Sequence, residues 1–210
     1  GKGGREHALG WKFSQNPQIE KIFVAEGNPG CELLPRVSNV KLNKIDELLE
    51  FAEVQQIDLT IVGSEELLVE GIVDKFEAVG LSIFGPNKQA AQLEGSKAFA
   101  KEFMNKYGIK TAHHESFTDY ARALKYLDKV SYPIVIKASG LAAGKGVVIA
   151  EDNDQAEAAL ASMLLDQVFG ESGCEVVIEE YLVGVEASIL SFTDSETIIP
   201  LISAKEKKKI

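Results

Sequence analysis

Lys137 and Lys145 bracket a run of small residues, Ala138-Ser139-Gly140-Leu141-Ala142-Ala143-Gly144, and Gly146 closes it. A loop so poor in side chains lets backbone N–H groups come close to an anion, and it opens and closes at little cost. Two ammonium groups beside those amides suit a polyphosphate. The pattern is not a Walker A motif, which needs four residues between its glycines, then Gly-Lys-Ser/Thr and a helix. Here only Leu141, Ala142 and Ala143 separate Gly140 from Gly144, Gly146 follows Lys145, and an apolar run comes next. Taken alone, the loop fits equally well a flexible hairpin with two solvated lysines.

The loop needs strands on both sides, and residues 134–136 and 147–149, all Ile or Val, read as such. Ser96 can cap a helix through Phe99, Phe103 and Tyr107. Helices over 120–127 and 154–165 and paired strands over 175–181 and 186–192 complete the second segment. That is an α+β layout with a largely antiparallel sheet.

The first segment has another rhythm. Gly1-Lys2-Gly3-Gly4-Arg5-Glu6-His7-Ala8 is a glycine-rich turn running into a helix through Leu9, Trp11 and Phe13. In nucleotide-type α/β folds such a turn follows a first strand, and the helix start offers N–H groups to a phosphate. The strand expected before it is not in the sequence. Apolar runs at 21–25, 59–62 and 81–84 alternate with helical patterns through Ile45, Leu48, Leu49 and Phe51 and over about 68–79. This predicts an α/β fold with a doubly wound parallel sheet. Ligands bind such sheets beyond the carboxyl ends of the strands, where Gly27, Asn28, Gly63 and Glu65 fall. The rhythm changes after Gly85-Pro86, so the expected domains are residues 1–94 and 95–210.

The bulk properties narrow the classes. A length of 210 residues suits one large or two small domains, and a net charge of −10 argues against a nucleic-acid surface. No apolar run is long enough to span a bilayer, so no membrane partner is expected. Cys31 and Cys174 lack metal-site or CxxC spacing, which fits a reduced, cytoplasmic setting. His113-His114 reads as a solvated loop. The glycine-rich opening without Met, and the Lys205-Glu206-Lys207-Lys208-Lys209-Ile210 end, suggest a segment of a longer protein.

Several motifs in order carry a resemblance: Gly3-Gly4-Arg5-Glu6-His7-Ala8, Gly27-Asn28, Phe84-Gly85-Pro86, Ala91-Gln92-Leu93-Glu94-Gly95-Ser96-Lys97, residues 137–146 and Ile178-Glu179-Glu180. Together they resemble the ATP-grasp ligases, and within them the phosphoribosylamine–glycine ligase family of purine biosynthesis. The resemblance implies an incomplete ATP-grasp domain after the first α/β domain, and a set of roles. Lys97 and Lys137 would contact ATP phosphates, Lys137 and Lys145 would serve the chemistry, and Gly140, Gly144 and Gly146 would belong to a lid over the phosphates. Glu179, Glu180 and Leu182 would border adenine, and Glu186 would take the ribose hydroxyls. Gly3, Gly4, Arg5, Gly27, Asn28, Gly63 and Glu65 would face phosphoribosylamine and glycine. Magnesium or manganese is implied as well, with its ligands beyond Ile210; no metal ligand is assigned within the chain. A monomer is favoured.

The sequence departs from the family in two places. Gly63-Ser64-Glu65-Glu66-Leu67-Leu68-Val69 stands where Gly-Pro-Glu-Ala-Pro-Leu-Val is usual, and Val183-Gly184-Val185-Glu186 replaces Asp-Gly-Glu-Glu. Three rival readings remain at this point. Another ATP-grasp carboxylate–amine ligase would share the second domain, and a regulatory module would bind ATP without turnover. A dinucleotide oxidoreductase, suggested by Gly1 to Gly4 and Glu26, leaves the two lysines unexplained.

Overall fold

The computed structural model describes residues 1–142, 144–194 and 196–205. Helix α1 (Gly4–Ser14) starts behind Gly3, whose N–H donates to Glu6 Oε2 at 2.9 Å. Strand β1 (Ile22–Ala25) runs parallel to β2 (Val37–Val40), with Ile22 opposite Val37. Between them the turn expected at 27–30 winds into a short helix, α2 (Pro29–Glu32). Asn28 caps it by accepting from the Cys31 N–H at 3.1 Å. The sequence pattern did not indicate β2, because Ser38 and Asn39 interrupt its apolar run.

Helix α3 (Ile45–Val54) leads to β3 (Thr60–Ile61). The single helix expected over 68–79 is two, α4 (Glu65–Glu70) and α5 (Ile72–Ala78). Gly71 separates them at φ 95°, a left-handed conformation that ends α4 and that side chains resist. Strand β4 (Ile83–Phe84) then pairs parallel with β3. Ile45, Ala52, Ile72, Val73 and Phe76 make the local core.

The parallel sheet is therefore present as two halves, β1–β2 and β3–β4, which do not pair with each other. A cleft of about 890 Å³ separates them, lined by β1, by β3 and by Phe51, Ala52 and Phe76 behind. Gly1 sits at its mouth: its amino group donates to Ala25 O at 2.7 Å, and Gly27 N–H donates to Gly1 O at 3.2 Å.

Helix α6 (Lys88–Gly95) leads into α7 (Lys97–Lys106), which is capped by Ser96 Oγ, an acceptor from Phe99 N–H at 3.2 Å. Then follow β5 (His114–Phe117), α8 (Tyr120–Leu127), β6 (Ile134–Ala138), β7 (Val147–Ala150) and α9 (Asn153–Leu160). The helix expected to reach 165 continues past Leu160 as a π turn, Ala161–Leu165. A 3₁₀ turn, Gly170–Gly173, precedes β8 (Val176–Glu180). A last hairpin pairs β9 (Ser191–Thr193) with β10 (Ile198–Pro200).

Strands β5, β8, β6 and β7 form one antiparallel sheet in that order. The pairing expected between 175–181 and 186–192 does not form, because β5 and β6 already occupy both edges of β8. His114, read as solvated loop, opens β5 instead and is half buried. Successive side chains of a strand point to opposite faces. Ile134, Ile136 and Ala138 of β6 and Val176 and Ile178 of β8 join Ala123, Leu127, Ala156 and Leu160 in one core beneath α8 and α9. Lys137 and Glu179 alternate with these residues and face the other way, toward α7.

Candidate active site

Register brings the charges together. Val135 stands opposite Glu179 and Lys137 opposite Val177, so Lys137 and Glu179 are diagonal neighbours on one face. Lys137 Nζ donates to Glu179 Oε2 at 2.9 Å. The same oxygen lies 3.3 Å from Lys101 Nζ, which also donates to Thr111 Oγ1 at 2.6 Å. Glu179 and Lys101 are only 6% and 7% exposed, while Lys137 opens toward solvent. Lys101 was not anticipated. It follows Lys97 by four residues, and that spacing alone places both on one side of α7.

Lys97 closes the upper end. Its Nζ donates to Gly140 O at 3.0 Å, and its N–H donates to Ser139 O at 2.8 Å. Buried Ser139 takes the Ala98 N–H on its Oγ at 3.1 Å, so the start of α7 is fastened to the foot of the glycine loop. Burial pulls the Lys97 ammonium below the usual lysine range; Glu94 opposes this and the charge of Lys137 adds to it. Lys101 and Lys137 thus share one buried carboxylate, and Lys97 adds a third ammonium that also feels Glu94.

The loop is held at its base, and Lys145 N–H donates back to Ala142 O at 2.9 Å. Gly140 N–H donates to Ser172 O at 3.0 Å, and Ser172 Oγ donates to Leu141 O at 2.8 Å. Gly146 O accepts from Ala138 N–H at 2.8 Å, while Gly144 and Lys145 are exposed. Ala143 lies outside the described residues. A Cβ on Gly140 would stand 2.6 Å from Ser172 Cα, a backbone atom that cannot swing aside. Gly140→Ala is expected to destabilise the protein by about 2–3 kcal/mol, roughly 5–10 °C in melting temperature, as overpacked positions do. Differential scanning calorimetry checks this; an unchanged melting temperature would mean that the 3₁₀ turn yields freely.

The adenine-side residues are less gathered. Glu180 ends β8 with its side chain turned to the backbone of His113, whose N–H donates to Glu180 Oε1 at 2.8 Å. Leu182 lies past the strand, 64% exposed. Glu186 is exposed in an irregular segment.

A second cluster forms at the carboxyl ends of β1 and β3. Arg5, on the first turn of α1 after Gly4, donates from Nη1 to Gly63 O at 2.5 Å and pairs through Nη2 with Glu65 Oε1 at 2.8 Å. That bond holds the Glu65 carboxyl below its usual range and raises the Arg5 guanidinium. Asn28 Nδ2 donates to Lys2 O and Gly3 O at 3.2 Å each, and Asn39 Nδ2 donates to Asn28 O at 2.8 Å. Gly3, Arg5, Gly27, Asn28, Gly63 and Glu65 are thereby drawn to one end of the sheet halves. Asn39 was not anticipated; its Oδ1 is buried without a partner among the described residues. Among those residues no group of three or more His, Cys, Asp and Glu could hold a metal ion.

An antiparallel sheet carrying Lys137 beside a glycine loop, with buried Lys101 on the helix above it and an α/β unit ahead of it, fits the ATP-grasp class. Solved structures agree on the fold: a carboxyaminoimidazole ribonucleotide synthase from Aspergillus clavatus, itself complexed with ATP, superposes at TM-score 0.72 and 18% identity over the whole chain and 53% of its own. Family models described as the phosphoribosylglycinamide synthetase N domain and ATP-grasp (A) domain match residues 1–94 and 95–210, and the chain belongs to that family. Phosphoribosylamine–glycine ligases of Fusobacterium nucleatum and Clostridium acetobutylicum are 61% and 55% identical over the whole chain. The Thermotoga maritima ligase structure superposes at TM-score 0.77 with 30% identity, over 97% of this chain and 48% of its own. The chain spans about half the length of the curated relatives it matches, 49% and 50% for those two.

Proposed function

We propose that the chain supplies the nucleotide site and part of the substrate site of an ATP-dependent ligase that joins glycine to 5-phosphoribosylamine. The products are glycinamide ribonucleotide, ADP and phosphate. The glycine carboxylate attacks the γ-phosphorus of ATP and ADP leaves, which gives a glycyl phosphate. The amine of phosphoribosylamine then attacks the acyl carbon and phosphate departs. A carboxylate is a poor electrophile, and phosphorylation gives it a leaving group.

One observation carries this reading: Lys97 and Lys137 converge at the foot of a glycine loop, Lys97 on Gly140 O and Lys137 on the buried Glu179 carboxylate. Such groups hold ATP and neutralise charge as it develops on the transferring phosphoryl group. The 140–146 loop covers the phosphates, with Lys145 added from its exposed tip, and closure keeps water from the acyl phosphate. Glu179, Glu180 and Leu182 border the base and Glu186 the ribose. The Arg5, Asn28, Gly63 and Glu65 cluster takes the phosphoribosylamine and glycine. A divalent ion, magnesium or manganese, would supply charge neutralisation at the phosphates; among the described residues no group of three or more His, Cys, Asp and Glu could hold it. The domain boundary falls at Glu94. Among the described residues no helix is long and apolar enough to cross a membrane. The reading places the protein in the cytoplasm, as a monomer, with small molecules and no nucleic acid as partners.

The test has two arms. Amide exchange at 141–142 and 144–146 is expected to slow several-fold with a non-hydrolysable ATP analogue, the order of change a closing lid brings. In a full-length form, ADP release should require both glycine and phosphoribosylamine. Exchange that ignores nucleotide would remove the lid role, and ADP release without the amine would point to another ligase of the class.

A further inference from the structure

Lys101 is buried and shares one oxygen of Glu179 with Lys137. The sharing matters once an anion arrives. A phosphate at the loop draws the Lys137 ammonium toward itself and away from Glu179. A buried carboxylate that loses its counter-ion is strongly unfavourable and takes a proton instead. Lys101 prevents this, because it is already on the same oxygen and is anchored from behind by Thr111. We propose that Lys101 is a positioning residue that takes over the Glu179 charge when nucleotide binds, and so frees Lys137 for the phosphates without proton uptake. This rests on the nucleotide reading above.

The other groups facing Glu179 do not substitute for it. On β5, His114 stands directly opposite, but its Nδ1 lies 3.0 Å from Ala112 O and its Nε2 3.3 Å from Asn105 Nδ2. Lys97, one turn up α7, donates to Gly140 O. Lys137 is the group being withdrawn.

The inference has a signature that mere packing lacks. Without Lys101, nucleotide binding must protonate Glu179, so affinity should rise as pH falls relative to the unaltered chain. ATP titration calorimetry in buffers of different ionisation enthalpy measures that proton directly. K101M is expected to bind ATP about tenfold more weakly at pH 8, to take up about one extra proton, and to recover affinity toward pH 6. K101R, which keeps the charge, should show neither change. With Glu179 replaced as well, K101M/E179Q should match E179Q alone, and it should fold even where K101M does not, because the uncompensated carboxylate is gone.

The hand-off is overturned by K101M with no extra proton, by an equal loss of affinity on the E179Q background, or by a double variant that fails to fold where E179Q folds. No saturable ATP binding by the unaltered chain would overturn the nucleotide reading itself, and the hand-off with it. Normal ATP binding that ignores K101M would overturn the hand-off alone.

Discussion

Replacing Lys137 by alanine is expected to lower ATP affinity at least about tenfold, or ~1.4 kcal/mol. An exposed ion pair is worth about 0–1 kcal/mol and would be hard to detect. Lys137 differs because its ammonium stands on a sheet face, partly screened from water by α7 and the glycine loop, with a side chain 28% exposed. Charge-assisted hydrogen bonds in such places contribute roughly 1.5–3 kcal/mol. The fold should survive, since Glu179 keeps Lys101 as a counter-ion at 3.3 Å. Titration calorimetry measures the affinity, and circular dichroism confirms that the sheet is intact. Unchanged ATP binding in a folded variant would take Lys137 out of the site.

What could be read from the residues follows from where the signals are local. Strands β6 and β7 are runs of Ile and Val with glycine between them, and nothing competes with that pattern. Helix α7 announces itself by Ser96 and by apolar residues at helical spacing. Strands β2 and β5 were hidden because Ser38, Asn39, His114 and Glu115 break the expected alternation. Their place is decided by partners far along the chain, β1 for one and β8 for the other. The expected 186–192 strand forms only over Ser191–Thr193 and pairs with β10, because β8 has no edge left for it.

The site divides in the same way. Glycine spacing marks the loop, since close backbone approach leaves few other choices, and Gly140 against Ser172 bears that cost visibly. Lys101 looks like one more surface lysine on a helix until the sheet beneath it is known to carry Glu179. A buried ion pair is a tertiary fact, and no spacing in one segment reports it.

The cleft between β1 and β3 leads to the second large expectation. A segment of about six alternating Val, Ile and Leu residues placed ahead of Gly1 is expected to raise the melting temperature by roughly 10 °C, and at least 5 °C. The direction is set by what flanks the cleft. Strands β1 and β2 are parallel, as are β3 and β4, and Gly1 already bonds to Ala25 O at the carboxyl end of β1. A strand running toward Gly1 would be parallel to both halves and would cross over through α1 to β1, the right-handed connection such sheets require. It would satisfy backbone groups along the facing edges of β1 and β3, which water must otherwise solvate inside a cleft of about 890 Å³. It would also bring apolar side chains against Phe51 and Phe76, each worth about 1.5–3 kcal/mol when fully buried. The gain should depend on strand geometry and not on hydrophobicity alone. The same residues with proline at two inner positions lose ladder donors and should give almost none of it. Thermal melts of the two extended forms and the unextended chain make the comparison. Equal melting temperatures for all three would show that the halves of the sheet hold together without a central strand.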